Sequence, residues 1–185
     1  MVTVVDLSTE GTGIDGLVVV TMKQVTDERG TVREFYRESA FVDAGLPSLG
    51  PWVQVNVTET VRGAIRGMHG EAMTKLVSVA SGRAHGAYVD VRSGSATFGA
   101  VVQVDLVPGV QVLVPPGVCN GFQALEDGTQ FLYCFDVEWQ PGMAGVACTP
   151  LDPSLGIDWP IAVDPDDESQ VSAKDRSAPR LAELP

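Results

Sequence analysis

The residues best suited to chemistry gather in one stretch, Arg66-Gly67-Met68-His69, with Lys75 opening the apolar run Lys75-Leu76-Val77-Ser78-Val79. An imidazole takes or gives a proton near neutral pH, a guanidinium clamps an anion, and an ammonium stabilises a developing oxyanion. The plain alternative is a surface histidine between two solvated cations, so the case rests on partners elsewhere in the chain. Tyr133 is one, within Phe131-Leu132-Tyr133-Cys134-Phe135. On a strand it shares a face with Phe131 and Phe135, and taken alone it reads as a core tyrosine whose hydroxyl needs a partner. Together, His69 as base, Lys75 as oxyanion stabiliser and Tyr133 as acid suit removal of a proton next to a carbonyl and its return from the other face.

Other chemistries fit less well. A first-row metal site takes three or four ligands, often several histidines. This chain has 2 histidines, His69 and His85, and Glu71 stands where a His-x-His pair would continue. A site of two histidines and one carboxylate is the minor alternative; no metal is expected. No Gly-x-Ser-x-Gly elbow and no Gly-rich phosphate loop occurs. Cys119, Cys134 and Cys148 are odd in number and without a Cys-x-x-Cys pair, which reads as ordinary reduced thiols. No cofactor is called for.

The elements that must position these residues read as strands. Leu17 to Met22 is β-branched, Arg33 to Tyr36 resumes a strand, and Ser39 to Ala44 suits a single helical turn. Val53 to Thr58 alternates, with three valines on one face and Gln54, Asn56 and Thr58 on the other. The polar face would ordinarily meet solvent, but in a barrel it can line a ligand site. His69 itself reads as part of a glycine-flanked turn from Gly63 to Gly70. Further strands are expected at Lys75–Ala80, Ala84–Arg92, Ala100–Val107, Val110–Val114, Gly121–Leu125 and Gln130–Val137, punctuated by Gly and Pro turns. Short strands at such spacing predict an all-β jelly-roll barrel. The segment from Pro150 is acidic and proline-rich, yet Ile157 and Trp159 predict that it packs back on the barrel.

Length and charge bound the rest. A chain of 185 residues, 44% of them apolar, makes one domain with a real core. A net charge of -12 argues against a nucleic-acid polymer as partner while leaving room for a small anionic ligand. No apolar run reaches membrane-spanning length and the first residues do not read as a secretory signal, so no membrane contact and a cytoplasmic setting are expected.

An ordered series of motifs adds a family. Asp27-Glu28-Arg29-Gly30 with Glu34-Phe35, Gln54-x-Asn56, Arg66-Gly67-Met68-His69 and Lys75-Leu76-Val77 come first. Val89-Asp90-Val91-Arg92, Ser95 to Gly99, Pro115-Pro116-Gly117, Gly121-Phe122 and Phe131-Leu132-Tyr133 follow. Gly156 to Pro160 and Ser172-Ala173-Lys174-Asp175 close it. From about residue 17 to 176 the chain resembles the dTDP-4-dehydrorhamnose 3,5-epimerases, cupin-fold enzymes of deoxysugar biosynthesis. The resemblance implies a cupin-type jelly roll over about 17–149 and a tail over 150–185 that carries Lys174 and Asp175. It implies epimerisation of a dTDP-linked 4-keto-6-deoxyhexose at C3, C5 or both.

In that reading His69 is the base, Asp175 its orienting carboxylate, Lys75 the enolate stabiliser and Tyr133 the acid. Arg66 meets the diphosphate, while Gln54, Asn56, Asn120 and Lys174 contact the ligand. Arg29 and Glu34 help hold the nucleotide, in this family often across a homodimer interface. The chain departs from the family pattern at Asn120, where histidine is usual, and at Trp139, where a second tyrosine is usual. Ala144 stands near an expected glutamate, and Gly70-Glu71 replaces Tyr-Gln. These positions leave the inverted carbon and the sugar open. A sugar-nucleotide 3,4-ketoisomerase and a non-catalytic sugar-binding jelly roll are the alternative readings.

Overall fold

The alternating segments pair into antiparallel sheets in a computed structural model of the chain, which describes residues 1–184. The first strands are β1 (Thr3–Val5), β2 (Ser8–Gly11), β3 (Val18–Thr21), β4 (Lys23–Asp27) and β5 (Gly30–Glu34), followed by helix α1 (Glu38–Asp43). Then come β6 (Gln54–Thr60), β7 (Ile65–Glu71), β8 (Lys75–Ser81), β9 (Ala84–Asp90) and β10 (Val101–Leu106). The last are β11 (Val110–Val114), β12 (Val118–Ala124), β13 (Thr129–Phe135), β14 (Gly145–Ala147) and a short helix α2 (Ala173–Arg176).

One sheet runs β10-β9-β12-β7-β14 and another β2-β3-β11-β8-β13-β6. Their inner faces share a core of Val77, Val79, Tyr88, Leu106, Val112, Phe122 and Phe131. Phe122 of one sheet stacks on Phe131 of the other with ring centroids 4.0 Å apart. Two sheets closed over an apolar interior is the jelly-roll arrangement that the spacing of the strands predicts. A third, three-stranded ribbon, β1-β4-β5, stands apart from them and exposes Val4, Val25 and Val32.

The tail packs back, as its apolar residues predict. On the outer face of the smaller sheet Met68, Val89, Cys119, Cys148 and Leu155 form a second layer of core, against which Ile157, Trp159, Leu181 and Leu184 rest. Trp159 Nε1 donates to the Pro150 carbonyl at 3.0 Å. Val171 makes a parallel bridge to Ile65, and the Ile65 amide donates to Gln170 O at 2.7 Å. The tail is thereby fastened beside β7.

The sequence reading needs correction at several places. His69 lies within strand β7, not in a turn. The glycines that suggest a turn serve a close approach: a Cβ on Gly67 would stand 2.5 Å from Gly121 Cα, and one on Gly70 would stand 3.0 Å from Cys119 Sγ. Glycine inside a strand marks such contacts between backbones. Asn120 and Cys119 belong to β12, which begins at Val118 rather than Gly121. The strand predicted from Arg33 starts at Gly30, and β1, β2 and β14 have no counterpart in the reading. Among the described residues no helix is long and apolar enough to cross a membrane.

Candidate active site

Between the two sheets, towards the edge strands β6 and β14, opens a cleft of about 920 Å³. Strand alternation decides what faces it. On β6 Asn56, Thr58 and Thr60 line the cleft, whereas Val55 and Val57 are 55% and 57% exposed on the outer side. The polar face therefore points inward, the reverse of an ordinary surface strand. On β7 Arg66, His69 and Glu71 line it; Lys75 enters from β8, Asn120 from β12, Tyr133 and Phe135 from β13. The tail contributes Lys174 and Asp175.

His69 Nε2 and Asp175 Oδ1 are 2.7 Å apart. Asp175 is brought there by α2, whose N-cap Ser172 accepts from the Asp175 amide at 3.1 Å. The carboxylate is buried, which by itself would raise its pKa; the hydrogen bond and charge of His69, with help from Ser172, outweigh this and hold it below the ordinary carboxylate value. An ionised carboxylate at that distance fixes the ring and favours the imidazolium that proton abstraction creates.

Lys75 is 3% exposed. Its ammonium donates to the His69 carbonyl at 3.1 Å and to Asn120 Oδ1 at 2.7 Å, and forms an ion pair with Glu71. Burial raises the pKa of Tyr133, offset in part by the nearby Arg66 guanidinium, while Glu71 and Asp175 add to the rise. A proton so held is kept until a strong base, such as an enolate carbon, is presented. Arg66 is steadied by its Nε donating to Thr60 Oγ1 at 3.0 Å and leaves the rest of its guanidinium towards the cleft.

Most of the residues singled out in the sequence thus meet here: His69, Lys75, Tyr133, Asp175, Arg66, Asn56, Asn120 and Lys174. Gln54 stands at the rim, donating to Asn56 Oδ1 at 3.1 Å and accepting from the Trp139 amide at 2.8 Å. Arg29 and Glu34 do not line this cleft. Arg29 pairs with Asp27 at 2.6 Å on the exposed β4–β5 hairpin, and Glu34 pairs with Arg37. Glu71 and Trp139 are among the lining residues to which the sequence reading gave no role. The signal for Glu71 was the two-residue period that places it beside His69. Among the described residues no three His, Cys, Asp or Glu side chains are grouped to hold a metal ion.

A jelly roll whose cleft holds a carboxylate-paired histidine, a buried lysine and a half-buried tyrosine has the groups for moving a proton next to a carbonyl, the outline of an isomerase. The comparisons agree. The family model described as dTDP-4-dehydrorhamnose 3,5-epimerase matches residues 11–183. A dTDP-4-dehydrorhamnose 3,5-epimerase of Methanothermobacter thermautotrophicus is 33% identical over 180 residues, 94% of each chain. A dTDP-4-dehydrorhamnose 3-epimerase of Streptomyces niveus is 33% identical, covering 92% of this chain and 82% of its own. The solved 4-keto-6-deoxy sugar epimerase of the novobiocin gene cluster of Streptomyces spheroides superposes with a TM-score of 0.87 at 30% identity, over 97% of this chain and 89% of that one. The chain belongs to the dTDP-4-dehydrorhamnose 3,5-epimerase family.

Proposed function

We propose that this enzyme inverts C3, C5 or both of a dTDP-linked 4-keto-6-deoxyhexose by removing a proton next to the ketone and returning it to the opposite face. The observation that carries the mechanism is the convergence of the His69–Asp175 pair, Lys75 and Tyr133 on one cleft. His69 takes the proton while Asp175 stabilises the imidazolium. The electron pair moves onto the C4 oxygen, where Lys75 stabilises the enolate, and Tyr133 supplies the new proton. Arg66 and Lys174 serve the diphosphate, with Asn56, Asn120 and Gln54 positioning the sugar. Relatives are named as 3,5- and 3-epimerases, which supports the reaction class without fixing the carbon.

Incubation with a dTDP-4-keto-6-deoxyhexose in D₂O tests this. Deuterium appears at a carbon beside C4, with inversion there; no exchange at either carbon would overturn the proposal. The reaction is proposed to need no metal or cofactor and to survive exhaustive chelation; loss of activity restored by a divalent ion would overturn that part. We propose that, handling a nucleotide-linked sugar, it works in the cytoplasm.

We further propose a homodimer. The outward row Val53, Val55 and Val57 and the ribbon valines Val4, Val25 and Val32 are exposed apolar surface of the kind that a second copy covers. In such a pair the β4–β5 hairpin, with Arg29 and Glu34, serves the partner's cleft.

A further inference from the structure

The Lys75 ammonium donates to the backbone oxygen of His69 and to Asn120 Oδ1, and it is ion-paired with the Glu71 carboxylate. A ketone oxygen that is to become an enolate on Lys75 must therefore compete with these partners for the ammonium. The His69 carbonyl belongs to the backbone of β7, and Asn120 is 5% exposed on β12, between β9 and β7. The carbonyl cannot withdraw without disturbing the sheet, and the Asn120 amide is a neutral acceptor on a buried side chain. Glu71 is different. It is the last residue of β7, its side chain is 19% exposed and lines the cleft, and Oε2, which faces the ammonium, has no hydrogen-bond partner to hold it there.

We propose that Glu71 is the positioning residue that occupies the enolate's place on Lys75 in the resting enzyme and must yield it during proton abstraction. This rests on the reading above that Lys75 receives the reacting oxygen. A neutral ketone competes poorly with a carboxylate for an ammonium, because hydrogen bonds between ionised partners are the stronger ones. An enolate competes on equal terms. Hand-over then leaves two anions, Glu71 and the enolate, beside one ammonium in a partly buried site, which raises the barrier. The carboxylate thus restrains deprotonation of ligands whose oxygen carries too little developing charge to displace it. Glu71 acts here through Lys75 and carries no proton of the reaction.

The test is Glu71→Gln, which keeps the shape and an acceptor for Lys75 but removes the charge. The expected result is deuterium wash-in with a kcat raised about tenfold, equivalent to about 1.4 kcal/mol off the barrier. KM should move less, since the gain concerns the charged oxygen more than the neutral ketone. A carboxylate that merely anchors Lys75 gives the opposite, a lower kcat in Glu71→Gln. A fall or no change in kcat overturns the proposal. Glu71→Ala supplies a second variant without the charge, in which kcat should also exceed wild type; failure of both to do so has the same meaning. Lys75→Met separates this from the reading beneath it. Exchange lost in Lys75→Met with no gain in the Glu71 variants overturns the hand-over alone. Undiminished exchange in Lys75→Met overturns the role of Lys75, and the hand-over with it.

Discussion

His69 and Asp175 lie 106 positions apart in the chain and 2.7 Å apart in space, so each is without its partner until the tail has docked. Asp175→Asn keeps the shape and loses the charge that favours the imidazolium. The expected outcome is a kcat lower by roughly 10² or more, on the scale of acid–base contributions, with KM little changed; an unchanged kcat would remove Asp175 from the mechanism. The same pair sets a pH dependence. Asp175 has a lowered pKa in the folded state, so its contribution to stability is fully present above the unfolded carboxyl value and is lost as pH falls through the folded one. The difference in unfolding free energy between the wild-type and Asp175→Asn proteins should be present at about pH 5 and shrink on further acidification. Denaturant titrations at several pH values read this directly, and a difference that grew towards acid would contradict the sign. Tyr133 allows a separate test of the two faces. Tyr133→Phe leaves base and enolate stabiliser in place, so deuterium should still enter with retained configuration while inversion falls by roughly 10². Inversion at the wild-type rate would assign the proton to another donor.

At the scale of elements, β6 and β7 show what the sequence could and could not reveal. The period of two in Val53 to Thr58 was legible, and so was the prospect that its polar side serves a ligand, because alternation alone assigns the faces. For β7 the glycines misled. Gly63, Gly67 and Gly70 resemble turn punctuation, but the residues that make Gly67 and Gly70 necessary, Gly121 and Cys119, sit on β12 and are brought there only by folding. Short strands such as β1 and β14 draw their partners from distant segments, Thr3 from Thr26 and Ala147 from His69, and so leave little local trace. Lys75 could be picked out as a cation; that Asn120 and Glu71 both hold it could not, since it depends on β12 lying beside β7. Gly67→Ala measures the closeness of that approach. The added Cβ meets Gly121 Cα at 2.5 Å, and φ at Gly67 is 131°. Overpacking of this kind costs about 1–3 kcal/mol, enough to lower Tm by several degrees in a chain of this size. A Tm within a degree of wild type would show that the two strands separate more readily than their packing implies.

For the whole molecule the question is why Arg29 and Glu34, which belong to the motifs shared with the family, stand outside the cleft. The hairpin that bears Arg29 extends from a three-stranded ribbon standing apart from the two barrel sheets. The ribbon valines Val25 and Val32 are exposed, and so are Val55 and Val57 on β6, an edge strand that borders the cleft. Edge strands with apolar outer faces invite pairing with another chain. If the ribbon of one copy covers β6 of the other, Val55 and Val57 are buried and Arg29 is carried towards a cleft made by its partner. Sedimentation should then give twice the 19.5 kDa of the chain, and Val57→Glu should shift it to the monomer with a raised KM. Complementation tests the sharing of the site itself. His69→Gln removes the base from a subunit's own cleft, and Arg29→Ala weakens the cleft of its neighbour. Mixed dimers of the two variants contain one cleft with His69 intact and Arg29 supplied by the other chain. After subunit exchange at equal concentrations, about a quarter of all clefts are complete, and activity at substrate levels well below KM should recover to that extent. If exchange is complete and no activity returns, Arg29 acts within its own subunit or has no part in binding, and the dimer, should sedimentation still show one, has no share in the site.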